Sequence, residues 1–237
     1  MNQSLEGHAD HRFDGELSSL HLLILKMGGL TLNQSQLSLQ AILQQDIVAA
    51  QTVIGKEPDI DSLEATVDSR IVELISKRSP IAKDLRITMA FSKIVVDLEH
   101  VADEAAKIAT IVLILNDGNP KLSKRQTRDI ASMGKLSVGY LETAIQAFDT
   151  LDVKLANSIL NAELELNEEF QSALRYSMTF VLEDARTLGN SINIMLMLKS
   201  LERIGTHAQN IAEYVIYVVH GINIHHQRRA TDKKNGN

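Results

Sequence analysis

The sequence predicts an all-α protein of two pseudo-repeated antiparallel three-helix bundles, with six long helices. First, the segment 98–103 recurs 103 positions later as 201–206, each time within an apolar pattern typical of a packed helix. Second, only 3 prolines and 12 glycines interrupt 237 residues, which favours long helices over many short strands. Third, apolar residues make up 44% of the chain, enough for each half to bury a core. One helical unit used twice accounts for all three observations.

The repeat is clearest in the last helix of each half. From residue 94 onward, apolar residues recur at alternating steps of four and three, and the positions 103 residues later do the same without a gap. This spacing is the seam of a helix packed in a bundle. The seam residues are Ile94, Leu98, Val101, Ala105, Ile108, Val112 and Leu115 in the first half and Met197, Leu201, Ile204, Ala208, Ile211, Val215 and Val218 in the second.

Helical spacing predicts one long helix, one short helix and two more long helices in each half. Asp46 and Asp152 are placed to cap the two short helices. Pro80 should end the helix before it, because a proline disfavours the α conformation at the preceding residue, and Gly221 should end the last helix. The predicted bounds are 15–43, 46–54, 59 or 61–78 and 81–116 in the first half, and 122–148, 152–160, 163–181 and 183–219 in the second.

These elements divide the chain into four parts. The terminal parts are polar and lack apolar periodicity, which predicts that they lie outside the packed helices. The parts are a mobile N-terminal arm at 1–13, the first three-helix repeat at 14–118, the second three-helix repeat at 121–221, and a polar, basic C-terminal tail at 222–237.

Composition and charge exclude several classes of protein. The formal net charge is −6 and the isoelectric point about 5.7, so no nucleic-acid surface is expected. The absence of cysteine excludes disulfides and cysteine-based zinc sites and fits a cytoplasmic protein. The polar start has no secretory signal, and the longest apolar runs are too short to span a bilayer. We therefore expect any contact with a membrane to be indirect.

Two pairs of carboxylates in the first repeat are candidate metal ligands. Glu99 and Asp103 are four residues apart, so they lie on one helix face and repel each other. Glu57 and Asp61 have the same spacing at the start of the preceding helix, which could approach the middle of the next one in an antiparallel bundle. A bridging cation would convert the repulsion into attraction, and four carboxylates suit Mg²⁺, Mn²⁺ or Fe.

The second repeat carries a depleted version of the same pattern. Glu163 and Glu202 are kept, but Asn167 and Thr206 replace the two aspartates. This set has lost two of four charges and should bind a metal more weakly.

Two alternatives for these carboxylates stay open at this stage. His207 or Asn210 could supply additional ligands to the second set. Conversely, acidic residues four apart are common on solvated helix faces, where they bind nothing. The adjacent tail histidines His225 and His226 are interpreted as incidental.

Four segments give the chain a family resemblance that covers residues 13–221. The chain resembles the PhoU family, the accessory and regulatory proteins of bacterial phosphate-specific transport. The resemblance implies two three-helix bundles related by a pseudo-repeat, in agreement with the periodicity above. The segments that carry it are 80–86, 97–103, 183–187 and 201–213.

The resemblance also implies metal binding and partners. Family members carry (Glu/Asp)-x-x-x-Asp motifs that hold metal ions, so a divalent or trivalent ion (Mg, Mn, Fe or Zn) is the expected cofactor. Members are usually homodimers. They act with the ATPase-containing phosphate ABC transporter and a membrane-bound sensor histidine kinase, keep the phosphate-starvation response off, and restrain uptake. By position the motifs fall on Glu57/Asp61, Glu99/Asp103, Glu163/Asn167 and Glu202/Thr206.

Three functions are compatible with these features. The leading hypothesis is a regulator with no reaction of its own, an adaptor that passes the transporter's state to the kinase. The second is a carboxylate-bridged metalloenzyme, which the lack of any Glu-x-x-His motif disfavours. The third is a helical scaffold whose carboxylates are merely solvated.

Overall fold

The computed structural model describes residues 3–117, 122–183 and 188–222, all within or beside eight helices. Six helices are long and two are short, and no strand occurs in these ranges, which confirms the all-α prediction. The helices are α1 (Gln3–Gln44), α2 (Ile47–Gly55), α3 (Glu57–Arg78), α4 (Ala82–Asp117), α5 (Lys124–Thr150), α6 (Val153–Asn161), α7 (Glu163–Glu183) and α8 (Leu188–His220).

The long helices form two mutually packed triplets. Helices α1, α3 and α4 contact one another in the first repeat, and α5, α7 and α8 do so in the second. The two triplets are joined where α4 packs on α8 and α1 packs on α5. All fourteen seam residues are buried, so α4 and α8 lie at the centre of the molecule, as the repeat predicted.

Local signals explain several helix boundaries. The Asp46 carboxylate accepts a hydrogen bond from the Ala49 amide at 3.0 Å, and the Asp152 carboxylate accepts one from the Lys154 amide at 2.7 Å, so both predicted caps are confirmed. Helix α3 ends at Arg78, before Pro80, as predicted.

Three boundaries differ from the sequence prediction. Helix α1 begins at Gln3, so residues 3–13, expected as an arm outside the helices, are helical; no proline interrupts them. Helix α3 begins at Glu57 rather than at an aspartate cap, because Pro58 is accommodated in the first turn, where its missing N–H costs nothing. Glu183 ends α7 instead of opening α8.

A cross-repeat contact closes the end of α8. Gly221 adopts a positive φ of 73°, which confirms the predicted helix stop. The Arg86 guanidinium of α4 donates to the Val218 carbonyl at 3.4 Å and lies 5.9 Å from the centre of the Tyr217 ring. A Cβ at position 221 would stand 2.5 Å from Nη1 of Arg86, the mobile end of a long side chain, so the positive φ rather than this approach favours glycine. Residues 223–237, which make up most of the predicted tail, lie outside the described residues.

Candidate metal centre

The structure brings the four first-repeat carboxylates together between α3 and α4. Glu57 opens α3, where the positive end of the helix dipole favours a carboxylate. Its carboxylate lies near that of Asp103 from the middle of α4, and the two charges repel each other. Glu99, one turn before Asp103, interacts electrostatically with Asp61 across the helix pair. The start of α3 therefore approaches the middle of α4, as the antiparallel arrangement predicted.

A fifth carboxylate, Glu64, belongs to the same group. It interacts electrostatically with Asp61 and Asp103, and with Asp68 on its own helix. Glu64 was not among the predicted ligands, although it forms a Glu-x-x-x-Asp pair of its own with Asp68. It also follows Glu57 by seven residues, two helical turns, which places both on one face of α3. We call Glu57, Asp61, Glu64, Glu99 and Asp103 the carboxylate cluster.

Burial and mutual repulsion raise pKa values within the carboxylate cluster. Burial, followed by repulsion from Asp103, Glu64 and Asp61, raises the pKa of Glu99 to about 7. Burial and then the charges of Asp103 and Asp61 raise the pKa of Glu57 as well. A proton therefore competes for the Glu99 carboxylate near neutral pH, as expected for a partly buried group among like charges.

One lysine partly offsets this charge. The Lys107 ammonium lies 4.0 Å from Asp103 Oδ2, but it lies closer, at 3.0 Å, to the buried Glu104. In the part of the chain that the structure describes, no three carboxylates of the cluster converge within 4.8 Å. The donor set is all oxygen and fits a hard cation, provided that side-chain rotations draw the oxygens inward.

The corresponding place in the second repeat is arranged differently. Glu202 of α8 is bound by its neighbour Lys199, whose ammonium lies 2.6 Å from Glu202 Oε2. The same ammonium lies 5.3 Å from the centre of the ring of Phe170, the residue at the α7 position corresponding to Glu64. Glu163 and Asn167 are exposed on α7. The ammonium group of Lys199 thus neutralises Glu202, which the sequence predicts as a weak metal ligand.

His207 and Asn210 do not assist the second set, contrary to one sequence-based alternative. Both point across the molecule to Asp97 of α4: His207 Nδ1 lies 2.7 Å from Asp97 Oδ1, and Asn210 Nδ2 donates to the same oxygen at 2.9 Å. They lie on the face of α8 that packs against α4, away from α7. With His100, Asp97 and His207 place one ligand atom each within 4.8 Å of one another.

Among the described residues, no helix combines the length and apolar character needed to cross a membrane.

Sequence comparisons identify the relatives of this chain. The PhoU domain family model matches residues 24–112 and 130–215, one segment in each repeat. A protein from Pseudomonas aeruginosa named "Phosphate-specific transport system accessory protein PhoU homolog" is 35% identical over 94% of this chain and 91% of its own length. The Escherichia coli K12 protein of the corresponding name is 30% identical, with the same two coverages of 94% and 91%.

Solved structures agree in fold. The crystal structure of PhoU from Pseudomonas aeruginosa superposes with a TM-score of 0.85 at 35% identity, covering 89% of this chain and 100% of that one. The phosphate transport system regulatory protein PhoU from Streptococcus pneumoniae gives a TM-score of 0.80 at 25% identity, covering 89% and 98%. On the family model, the sequence relatives and the shared architecture together, the chain belongs to the PhoU family.

Proposed function

We propose that this chain is an accessory protein of a phosphate-specific transport system that negatively regulates the phosphate-starvation response and restrains phosphate uptake. It would act in the cytoplasm, as a homodimer without a reaction of its own, and as an adaptor between the ATPase subunit of the phosphate ABC transporter and a sensor histidine kinase. Support comes from relatives named as transport accessory proteins, which align over 94% of the chain. Membrane contact would occur only through these partners.

The observation that carries the metal-dependent part of the proposal is the carboxylate cluster. Five acidic side chains from two helices face one another, and the pKa of Glu99 is raised to about 7. A cation held by Glu57, Asp61, Glu99 and Asp103 would remove this repulsion and tie the start of α3 to the middle of α4. The ion supplies charge compensation and a fixed register of the two helices, which would hold a partner-binding face in one shape.

The donor chemistry narrows the choice of metal. Carboxylate oxygens suit Mg²⁺, Mn²⁺ and iron, whereas Zn²⁺ favours sites that include nitrogen or sulfur. We propose that Glu163 and Glu202 of the second repeat bind a metal ion less tightly than the first-repeat carboxylates do, because Lys199 already neutralises Glu202.

Alkaline phosphatase activity in the host, grown in abundant phosphate, tests the regulatory role. Deletion of the gene should give high activity, and the intact gene should restore low activity. Activity that stays low after deletion contradicts the proposal that this chain holds the starvation response off.

The same assay tests whether the carboxylate cluster is needed. The double variant Glu99→Gln/Asp103→Asn should fail to restore repression. The matched variant Glu163→Gln/Glu202→Gln removes the corresponding pair of the second repeat and should restore it. Equal repression by both variants would show that the regulator works without a first-repeat metal.

A further inference from the structure

The interface between α4 and α8 contains two contacts that occupy equivalent positions in the internal repeat. Position 203 follows position 100 by 103 residues, and position 207 follows position 104 by the same interval. On one side of the pseudo-two-fold axis, Arg203 Nε lies 3.1 Å from Oε1 of Glu104, whose side chain is 3% exposed. On the other side, His100 faces His207, with ring centroids 5.0 Å apart. One side is a complete ion pair, and the other is two facing imidazoles.

A buried carboxylate completes the histidine side. Asp97 is 7% exposed, and the two hydrogen-bonding contacts that the structure gives it, from His207 and Asn210, both fall on Oδ1. Its second oxygen is therefore the one that a cation could take. Asn210 orients the carboxylate from α8, which is the role that outer-shell partners play around metal ligands.

The geometry matches a nitrogen-containing metal site. Two imidazoles that bind one tetrahedral ion at Zn–N distances of about 2.0 Å have ring centroids roughly 5 Å apart. The observed separation is 5.0 Å, and the rings are inclined by 50°. All three ligand atoms already lie within 4.8 Å of one another, a convergence that the carboxylate cluster does not reach. His100 is 46% exposed at its side chain, which gives an ion a route in from solvent.

We propose that Asp97, His100 and His207 form a binding site for a borderline transition-metal ion such as Zn²⁺, which fastens α4 to α8 across the two repeats. Two imidazole nitrogens and one carboxylate oxygen make three protein ligands, and water completes the tetrahedron. The ion takes the place that the Arg203–Glu104 ion pair holds on the opposite side. Nitrogen donors distinguish this site chemically from the all-oxygen carboxylate cluster, whose Glu99 Oε2 lies 3.6 Å from His100 Nε2. The site is defined by its own ligands, Asp97, His100 and His207, and does not depend on the function proposed above.

Zinc titration of the full-length, metal-stripped protein tests this site. Excess Mg²⁺ is kept present to occupy the oxygen ligands of the carboxylate cluster, and zinc binding is followed by calorimetry and by the nitrogen resonances of the histidine rings. His100→Gln and His207→Gln should each weaken zinc binding by roughly a hundredfold or more, since loss of an outer-shell partner alone costs about 10–100-fold. The resonances of both rings should shift when zinc is added to the unchanged protein.

Two control variants locate the zinc. Asp103→Asn alters the carboxylate cluster and should leave zinc affinity unchanged. His225→Gln/His226→Gln removes the tail histidines and should also leave it unchanged. His100→Gln replaces a half-exposed side chain, so its far-UV circular dichroism should match that of the unchanged protein. Wild-type zinc affinity in His100→Gln, or loss of binding only in the tail variant, would overturn the proposal.

Discussion

The two repeats place a glutamate at the same point of their last helix, but the charges around the two carboxylates differ. Glu99 of α4 lies among four other carboxylates, and its pKa is raised to about 7. Glu202 of α8 is paired with Lys199 at 2.6 Å. The first repeat thus leaves its charge open to an external cation, whereas the second carries its cation on a side chain. A duplicated fold can therefore balance the charge of one half internally and leave the carboxylates of the other half repelling one another.

Metal addition should produce the largest difference between the two sites. Mn²⁺ at about 100 times its dissociation constant should raise the free energy of unfolding by about 2.7 kcal/mol, through binding to the folded state alone. The variant Glu99→Gln/Asp103→Asn should lose this gain, and Glu163→Gln/Glu202→Gln should retain it. Denaturant unfolding with and without chelator measures both. Equal metal dependence in the two variants would contradict the assignment of the ion to the first repeat.

Replacing the equivalent glutamates, Glu99 and Glu202, should change the stability of the metal-free protein at pH 8 by an intermediate amount. The two changes should have opposite signs. Folded Glu99 keeps its proton up to about pH 7, whereas the ordinary pKa of a glutamate, which applies in the unfolded chain, is 4.5. The folded state therefore binds more protons between these values, and this residue makes stability fall as pH rises through the interval. Glu99→Gln should be more stable than the unchanged protein at pH 8 in chelator, by a margin that shrinks at pH 5.

Glu202→Gln serves as the comparison for that experiment. It removes the partner of Lys199 and should lower stability slightly at pH 8, because an ion pair is lost. Urea unfolding at both pH values gives the two differences. A Glu99→Gln protein that is less stable than the unchanged one at pH 8 would show that the carboxylate cluster is not under repulsion.

Replacement of Lys199, the cation of the second repeat, should have the smallest effect on the free energy of unfolding. Lys199→Met removes a half-exposed ion pair and the contact with the Phe170 ring, and should cost about 1 kcal/mol or less. Lys93→Met, at an exposed position of α4, is the matched control and should change the free energy of unfolding by less than about 0.5 kcal/mol. If Lys199→Met made the second repeat bind Mn²⁺, the lysine would be shown to exclude an ion that the remaining carboxylates can hold.

Local patterns allowed much of the fold to be predicted. The 4,3 seam identified the buried faces of α4 and α8, and the aspartates at 46 and 152 identified the starts of both short helices. The predicted start of α3 is wrong because no aspartate caps this helix. Lys56 precedes it with no side-chain hydrogen bond, and the acidic residues occupy its first turn. Propensity locates a helix better than it locates its first residue.

The sites were harder to predict because they depend on which helix faces meet. The approach of Glu57 to Asp103 followed from the antiparallel order of α3 and α4. The direction of His207 could not be predicted, since a residue beside the seam of α8 can face either α7 or α4. Packing of the two seams turns it to Asp97, which is 110 residues away in sequence and has no local signal.

The continuous core has a consequence for folding cooperativity. One apolar cluster includes buried residues of both repeats, and Glu104 and Asp97 are buried where α4 meets α8. If one repeat opened alone, it would expose the apolar seam of the other and leave these two carboxylates without their partners from α8. Intermediate states with one folded half are therefore costly. The molecule should unfold in a single transition despite its duplicated sequence, so a destabilising change in either repeat lowers the stability of both.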